Sequence, residues 1–324
     1  MADAYLKWYY GYQNFWDELL FFGIIKWILD NYALDMLYVE VGDKVRMEKW
    51  MEKNFESFGF AEDKWRSLLD KIRFVENKWH KIGTHIRSFF GLSPYKKMFK
   101  FFGGGEVLTD ERKCPHDGRN IPLLFGRTVR RHQFVLLWGI ASPHTCRTRI
   151  LYNILLRRAK NIIVRDKTSF ENAHHYVPRK AKDNLILHQD FALEIIQRQE
   201  SSADSKRPLG DAKYILINTN HKECTPENRE KIQAFCKEYP LHQKIFFPCD
   251  MYDDAKEFKI LKQDIPDLIY YNRTEHNIPR ILDLFAYCDG GIWCRLHFLL
   301  PLKIYKKSFE AIPYAEKIEK MILK

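Results

Sequence analysis

Short apolar runs alternate along this chain with longer stretches of helical periodicity. Tyr5 to Tyr10 is mostly apolar. The polar turn Gly11-Tyr12-Gln13-Asn14 follows, and then Phe15 to Asp30, where Leu19, Leu20, Phe22, Ile24, Ile25, Ile28 and Leu29 recur. The pattern predicts a strand, a turn and a helix, with Asn14 as the helix N-cap. Leu37 to Val41 predicts a second strand. Residues 47 to 75 predict a helix, with Trp50, Phe55, Trp65, Leu68, Leu69 and Ile72 on its apolar faces. Met98 to Phe102 is a short apolar run that stops at Gly103-Gly104-Gly105. Ile121–Arg131 and Arg147–Arg158 predict helices, and Phe134–Trp138, Ile162–Val164 and Leu185–Leu187 predict strands.

Residues 197–211 hold almost nothing to bury and predict a linker. Alternation then restarts, with strands at Tyr214–Ile217, Lys244–Phe247 and Leu268–Tyr271. The helices that follow them are Glu227–Lys237, Asp254–Leu261 and Ile278–Tyr287. This order predicts an α/β protein with mostly parallel sheets: an N-terminal domain over 1–196, the linker over 197–211 and a C-terminal domain over 212–324. Ligands of such sheets bind beyond the carboxyl ends of the strands, and a cleft between two halves is a preferred pocket.

Composition agrees and adds partners. The 324 residues suit two domains of roughly 150 residues each. No apolar run reaches the roughly 20 residues of a membrane span. The first residues lack the pattern of a signal peptide, so none is expected. Seven cysteines without a Cys-x-x-Cys pair argue for a reducing compartment, and the expected location is cytoplasmic. With 53 Lys and Arg against 42 Asp and Glu, the net charge of +11 calls for anionic partners. Between Lys78 and Phe101 stand Lys78, Lys81, Arg87, Lys96, Lys97 and Lys100, with Trp79, Phe89, Phe90 and Phe99 among them and no acid. This stretch suits a solvated basic face, or peripheral contact with an anionic membrane at its inner face. No nucleic-acid-binding signature accompanies the charge, so nucleic acid is not expected as a partner.

Four places carry candidate chemistry. Gly103, Gly104 and Gly105 after a buried strand can form an anion-binding concavity, or simply a tight turn. In Val164-Arg165-Asp166 the Arg can fork onto a carboxylate or phosphate, while Asp166 alone would serve as a helix N-cap. Arg295 and His297, near a strand–helix junction, can anchor an anion and move a proton. Asn14, Asp17 and Glu18 can bind sugar hydroxyls, and helix capping explains Asn14 and Asp17 equally well. His174-His175 and the scattered cysteines lack metal-ligand spacing, so no metal is expected.

Taken in order, these pieces resemble the polysaccharide pyruvyl transferase family. The matching residues are Gly11…Asn14-Phe15-Trp16-Asp17-Glu18, Gly103–Gly105 followed by Asp110, Val164-Arg165-Asp166 with Asp190-Phe191-Ala192, and Asp289 followed by Arg295-Leu296-His297. Lys317 comes twenty residues after His297. Trp16 stands where the family has Gly, and Trp293 and Cys294 replace smaller or Met-like residues. The resemblance implies two Rossmann-like domains of GT-B type with an inter-domain cleft. It implies transfer of the enolpyruvyl unit of phosphoenolpyruvate, as co-substrate and without another cofactor, to two hydroxyls of a glycan or lipid-linked sugar. A cyclic ketal forms and phosphate leaves. Arg165, Arg295, Lys317 and the three glycines would hold phosphoenolpyruvate and His297 would be the general acid/base. Asn14, Asp17, Glu18 and Asp190 would face the acceptor. The alternatives are a nucleotide-sugar-dependent glycosyltransferase on the same architecture and a catalytically inactive relative that binds glycan or membrane.

Overall fold

The computed structural model describes residues 2–10, 14–55, 70–76, 98–108, 134–140, 146–177, 179–200, 207–220, 223–251, 254–294 and 296–312. The chain divides into two compact units. The first takes residues 1–12, 17–50 and 62–194, and the second 13–16, 51–61 and 195–324. The second unit thus recruits two short segments that the sequence assigned to the N-terminal domain. The expected linker also starts too early: residues 197–200 complete a helix, Phe191–Glu200, whose Ile195 and Ile196 are buried.

In the first unit the strands are β1 (Ala2–Tyr10), β2 (Leu34–Val41), β3 (Ile72–Glu76), β4 (Phe99–Leu108), β5 (Phe134–Ile140), β6 (Asn161–Val164) and β7 (Leu185–Leu187). The helices are α1 (Phe15–Asn31), α2 (Lys44–Phe55), α3 (Cys146–Arg158), α4 (Lys167–Tyr176) and α5 (Phe191–Glu200), and a 3-10 segment runs over Arg179–Asn184. The sheet order is β3-β2-β1-β4-β5-β6-β7, and every pairing is parallel. The helix expected over 47–75 ends at Phe55. Ile72, Phe74 and Val75 instead join the sheet as β3 against β2, where β-branched and aromatic side chains fit a pleated surface. The helix expected at Ile121–Arg131 lies outside the described residues.

α1 is apolar on nearly every side, and its burial explains why. Leu19, Leu20, Phe21, Phe22, Ile24, Ile25 and Ile28 are all buried. At Gly23 the helix meets α5 so closely that an added Cβ would stand 2.2 Å from the Phe191 carbonyl oxygen. On one sheet face Tyr152, Leu155 and Leu156 of α3 and Ala173 of α4 pack on Phe102, Leu136, Ile140, Ile162 and Val164.

The second unit holds β8 (Tyr214–Ile217), α6 (Pro226–Glu238), β9 (Gln243–Phe246), α7 (Asp254–Asp264), β10 (Ile269–Tyr270), α8 (Ile278–Tyr287), β11 (Gly290–Trp293), α9 (Leu296–Ile304) and β12 (Ser308–Ala311). Its sheet order is β10-β9-β8-β11-β12, again parallel throughout. Every residue of β8 and of β11 is buried, as expected of strands covered on both faces. Thr225 caps α6 by accepting from Asn228 N, and Asn277 caps α8 by accepting from Arg280 N. The recruited segments fit this unit closely. The Phe15 ring stacks on Phe285 and meets Phe247 edge-on, its N–H donates to the Cys249 carbonyl, and Asn54 Oδ1 accepts from Ile278 N at 2.6 Å.

Lys100 stands in β4 between Tyr5 of β1 and Phe134 of β5, and burial lowers its pKa to about 8 from 10.5. The charged form is therefore disfavoured in the fold. That cost is present below pH 8 and fades as pH rises from there toward 10.5. Water still reaches the ammonium, which limits the gain from removing it to about 1 kcal/mol. Lys100→Met should therefore raise the melting temperature by about 2–4 °C at pH 7. The advantage over the parent should shrink toward pH 10, as read by melting curves across that range.

Candidate functional site

In parallel sheets the loops after the strands share one edge, and ligands collect where strand order reverses. The first sheet reverses between β1 and β4, the second between β8 and β11.

The first reversal involves the three glycines, but not as a loop. Gly103, Gly104 and Gly105 continue β4, and the pairing with β5 shifts register between Gly103 and Glu106. A Cβ on Gly103 would stand 2.7 Å from the Cβ of Leu137. Strand packing by itself requires the absence of a side chain at Gly103.

Arg165 and Asp190 do come together. Arg165 Nη1 lies 3.4 Å from Asp190 Oδ2, and Arg165 Nε lies 3.8 Å from Asp166 Oδ2. Both carboxylates also start helices. Asp166 caps α4 by accepting from Ser169 N at 2.7 Å, and Asp190 Oδ1 accepts from Ala192 N at 3.0 Å at the start of α5. Burial pushes the Asp190 carboxyl up, and the Arg165 guanidinium opposes that shift. The guanidinium is thus shared between two carboxylates of its own unit.

Asn14 behaves as a cap, with Oδ1 accepting from Trp16 N at 3.1 Å. Asp17 and Glu18 fill the first turn of α1, where acids favour the helix dipole, and Glu18 is buried. These roles are the helix-capping alternative for Asn14 and Asp17. Among the C-terminal candidates, Arg295 and Lys317 lie outside the described residues. His297 is the second residue of α9, and its side chain is not described. Asp289 precedes β11 and pairs with His242 Nε2 at 3.3 Å. It therefore stands at the amino end of β11. Trp293 and Cys294 are fully buried, and the indole packs on Phe298.

The second reversal has a polar crest that sequence reading missed. β8 ends at Ile217, and Asn218, Thr219 and Asn220 follow, all buried. Asn218 N donates to the Ile292 carbonyl of β11, and its Nδ2 donates to the Phe247 carbonyl at 2.8 Å and to Asp254 Oδ2 at 3.3 Å. Asp254, fully buried at the start of α7, also accepts from Cys249 N and Asp250 N at 2.8 and 3.0 Å. Asn220 Nδ2 donates to Cys294 Sγ at 3.0 Å, and Arg273 Nε donates to the Pro248 carbonyl. Two acceptors remain: Asn218 Oδ1 and Glu257 Oε2 are buried and have no hydrogen-bond partner among the described residues. The signal for this crest was available in the sequence as three consecutive small polar residues directly after the apolar run Tyr214–Ile217. Among the described residues no group of His, Cys, Asp and Glu could hold a metal ion.

No protein-family model matches the chain, and no curated protein matches it. Solved structures do. UDP-GlcNAc 2-epimerase from Neisseria meningitidis, bound to UDP-GlcNAc, superposes with a TM-score of 0.63 at 8% identity over 99% of this chain and 84% of that one. MnaA of S. aureus, solved with UDP, gives 0.60 at 10% identity over 97% and 80%. UDP-GlcNAc 2-epimerase from Methanocaldococcus jannaschii gives 0.56 at 10% identity over 99% and 91%. At this identity the likeness establishes the fold: the chain is an α/β protein of two Rossmann-like units, the GT-B class of architecture.

The Gly103 packing can be measured. Gly103→Ala should lower the free energy of unfolding by about 1–3 kcal/mol through overpacking. In a Leu137→Gly background, which removes the Cβ that the new methyl would meet, the same change should cost much less, as a double-mutant cycle in urea would show.

Proposed function

We propose that this chain is a nucleotide-sugar-dependent glycosyltransferase. It would move the sugar of a nucleoside diphosphate sugar to a hydroxyl of a glycan or lipid-linked acceptor and release the nucleoside diphosphate. The observation that carries the reading is the polar crest at the β8/β11 reversal of the second sheet, with Asn218–Asn220 and Asp254 gathered there and Glu257 buried three residues further along α7. Amide and carboxylate oxygens are acceptors, so they suit a ligand rich in O–H and N–H donors, as a ribose, a uracil and a sugar are. The start of α9, after β11, offers backbone N–H groups to a diphosphate. Neighbours of the same fold solved with UDP-GlcNAc and with UDP support the ligand class, and make uridine the first base to try.

Pyruvyl transfer is the second reading. It is favoured by the meeting of Arg165 with Asp190, which brings the Val-Arg-Asp and Asp-x-Ala segments together. Two carboxylates on that Arg weaken it as a clamp for phosphoenolpyruvate, a ligand made only of acceptors at neutral pH.

Thermal shift and calorimetry with UDP, UDP-GlcNAc and phosphoenolpyruvate separate the readings. Stabilisation by the uridine ligands is expected, and Glu257→Gln and Asn218→Leu should weaken binding by about tenfold or more, the loss of one or two hydrogen bonds. If phosphoenolpyruvate alone stabilises the protein, pyruvyl transfer replaces this reading. If no nucleoside diphosphate or sugar ester of one binds, the reading is wrong.

A further inference from the structure

The first unit carries an unusual concentration of charge. Between Cys146 and Asn184 the sequence has ten Lys or Arg and three Asp or Glu, a surplus of seven out of the chain's eleven. This segment is α3, β6, α4 and the 3-10 segment after it. Both helices cover the same sheet face, since α3 and α4 share one buried cluster with Leu136, Ile162 and Val164. The other side of that layer faces solvent.

α3 is amphipathic in an uncommon sense. Tyr152, Leu155 and Leu156 turn inward and are buried. Spacings of one, three and four residues put Arg149, Ile150, Asn153, Ile154 and Arg157 on the opposite arc. On that arc Ile150 is 60% exposed and Ile154 41%, with Arg149 and Arg157 exposed beside them. The helix has four arginines and no acid. The same layer adds exposed Lys167, Arg179, His174 and His175. A solvated basic face needs no isoleucines at its centre, and a protein-binding apolar patch needs no rim in which cations outnumber acids, here Arg149, Arg157, Lys167 and Arg179 against Asp166 and Glu171, the latter 3.9 Å from Lys167. An anionic bilayer suits both, because its headgroups pair with guanidinium groups while its acyl boundary takes the apolar side chains.

We propose that the outward arc of α3 docks the protein on an anionic lipid surface, with Ile150 and Ile154 inserted at the acyl boundary and Arg149 and Arg157 at headgroup level. Charge complementarity favours this occupant over a neutral membrane. The isoleucines favour it over nucleic acid, which offers no apolar phase to an exposed side chain. The surface is separate from the nucleotide crest and goes beyond the function proposed above, so vesicle binding can be read without any nucleotide.

Flotation of the full chain with vesicles tests it, using phosphatidylcholine alone against equal parts phosphatidylcholine and phosphatidylglycerol. Binding is expected only to the mixed vesicles and should fall steeply with salt. Ile150→Ser with Ile154→Ser, and separately Arg149→Glu with Arg157→Glu, should each reduce partitioning by about tenfold or more. Lys237→Glu, an exposed cation on α6, should leave it unchanged. Far-ultraviolet circular dichroism confirms that each variant keeps its fold. Absence of binding to the mixed vesicles overturns the proposal. So does full binding by the isoleucine variant, which would show a polyanion surface rather than a bilayer one. Equal weakening by Lys237→Glu would show diffuse attraction by net charge and overturn it as well.

Discussion

Every strand pairing within the two sheets is parallel, and that constraint organises the rest of the molecule. A parallel strand cannot be reached by a tight turn, so the chain must cross back over a sheet face between strands, here mostly through a helix. Both faces are then covered, the strands become apolar on both sides, and the polar chemistry of each unit is driven to the edge where strands end. β8 shows this within one element. Four buried apolar residues are followed without interruption by three buried polar ones, Asn218, Thr219 and Asn220.

The same constraint explains what was legible in the sequence. Strands covered on both faces are short apolar runs, so β2, β5, β6, β7, β8 and β9 could be read to within a few residues. Long helices with apolar stripes, such as α1 and α3, were equally plain. β11 and β12 were hidden, because Gly290-Gly291-Ile292-Trp293 and Ser308-Phe309-Glu310-Ala311 have weak strand propensity and owe their conformation to pairing with β8 and with each other. β3 was absorbed into a helix for the opposite reason: Ile72 happened to fall in step with the apolar positions before it. The recruitment of Phe15 and Asn54 to the second unit depends on contacts more than 200 residues away in sequence, which no local pattern encodes.

Candidate-site residues divide along similar lines. Motif-like residues at helix starts were found readily, and each also has a structural role. Asn14, Asp166 and Asp190 each accept a backbone N–H two or three residues on, which is the ordinary reason for Asn and Asp at those positions. Gly103 looked like a ligand-approach residue, and strand packing by itself accounts for a glycine there. Short motifs of Asn, Asp and Gly are dominated by capping and packing, and so discriminate poorly. The crest residues were missed because their significance is topological. Asn218 matters because β8 is the strand from which the order reverses, and that is known only once β11 is placed on its far side.

The energetics of that crest bear on its purpose. Asp254 is a buried group in a favourable state, with two backbone N–H groups and an amide donating to one oxygen. Asn218 Oδ1 and Glu257 Oε2 differ, since each is a buried acceptor with no donor among the described residues, a state that costs about 1–3 kcal/mol for such a group. If structure alone were selected there, apolar side chains of similar volume would remove that cost. Groups retained against such a cost call for a reason beyond packing. A nucleotide sugar carries O–H and N–H donors of the kind these oxygens accept, whereas phosphoenolpyruvate carries only acceptors at neutral pH, and reaching either atom requires the crest to open, since both are closed to solvent. That chemical match supports the proposed nucleotide-sugar reading.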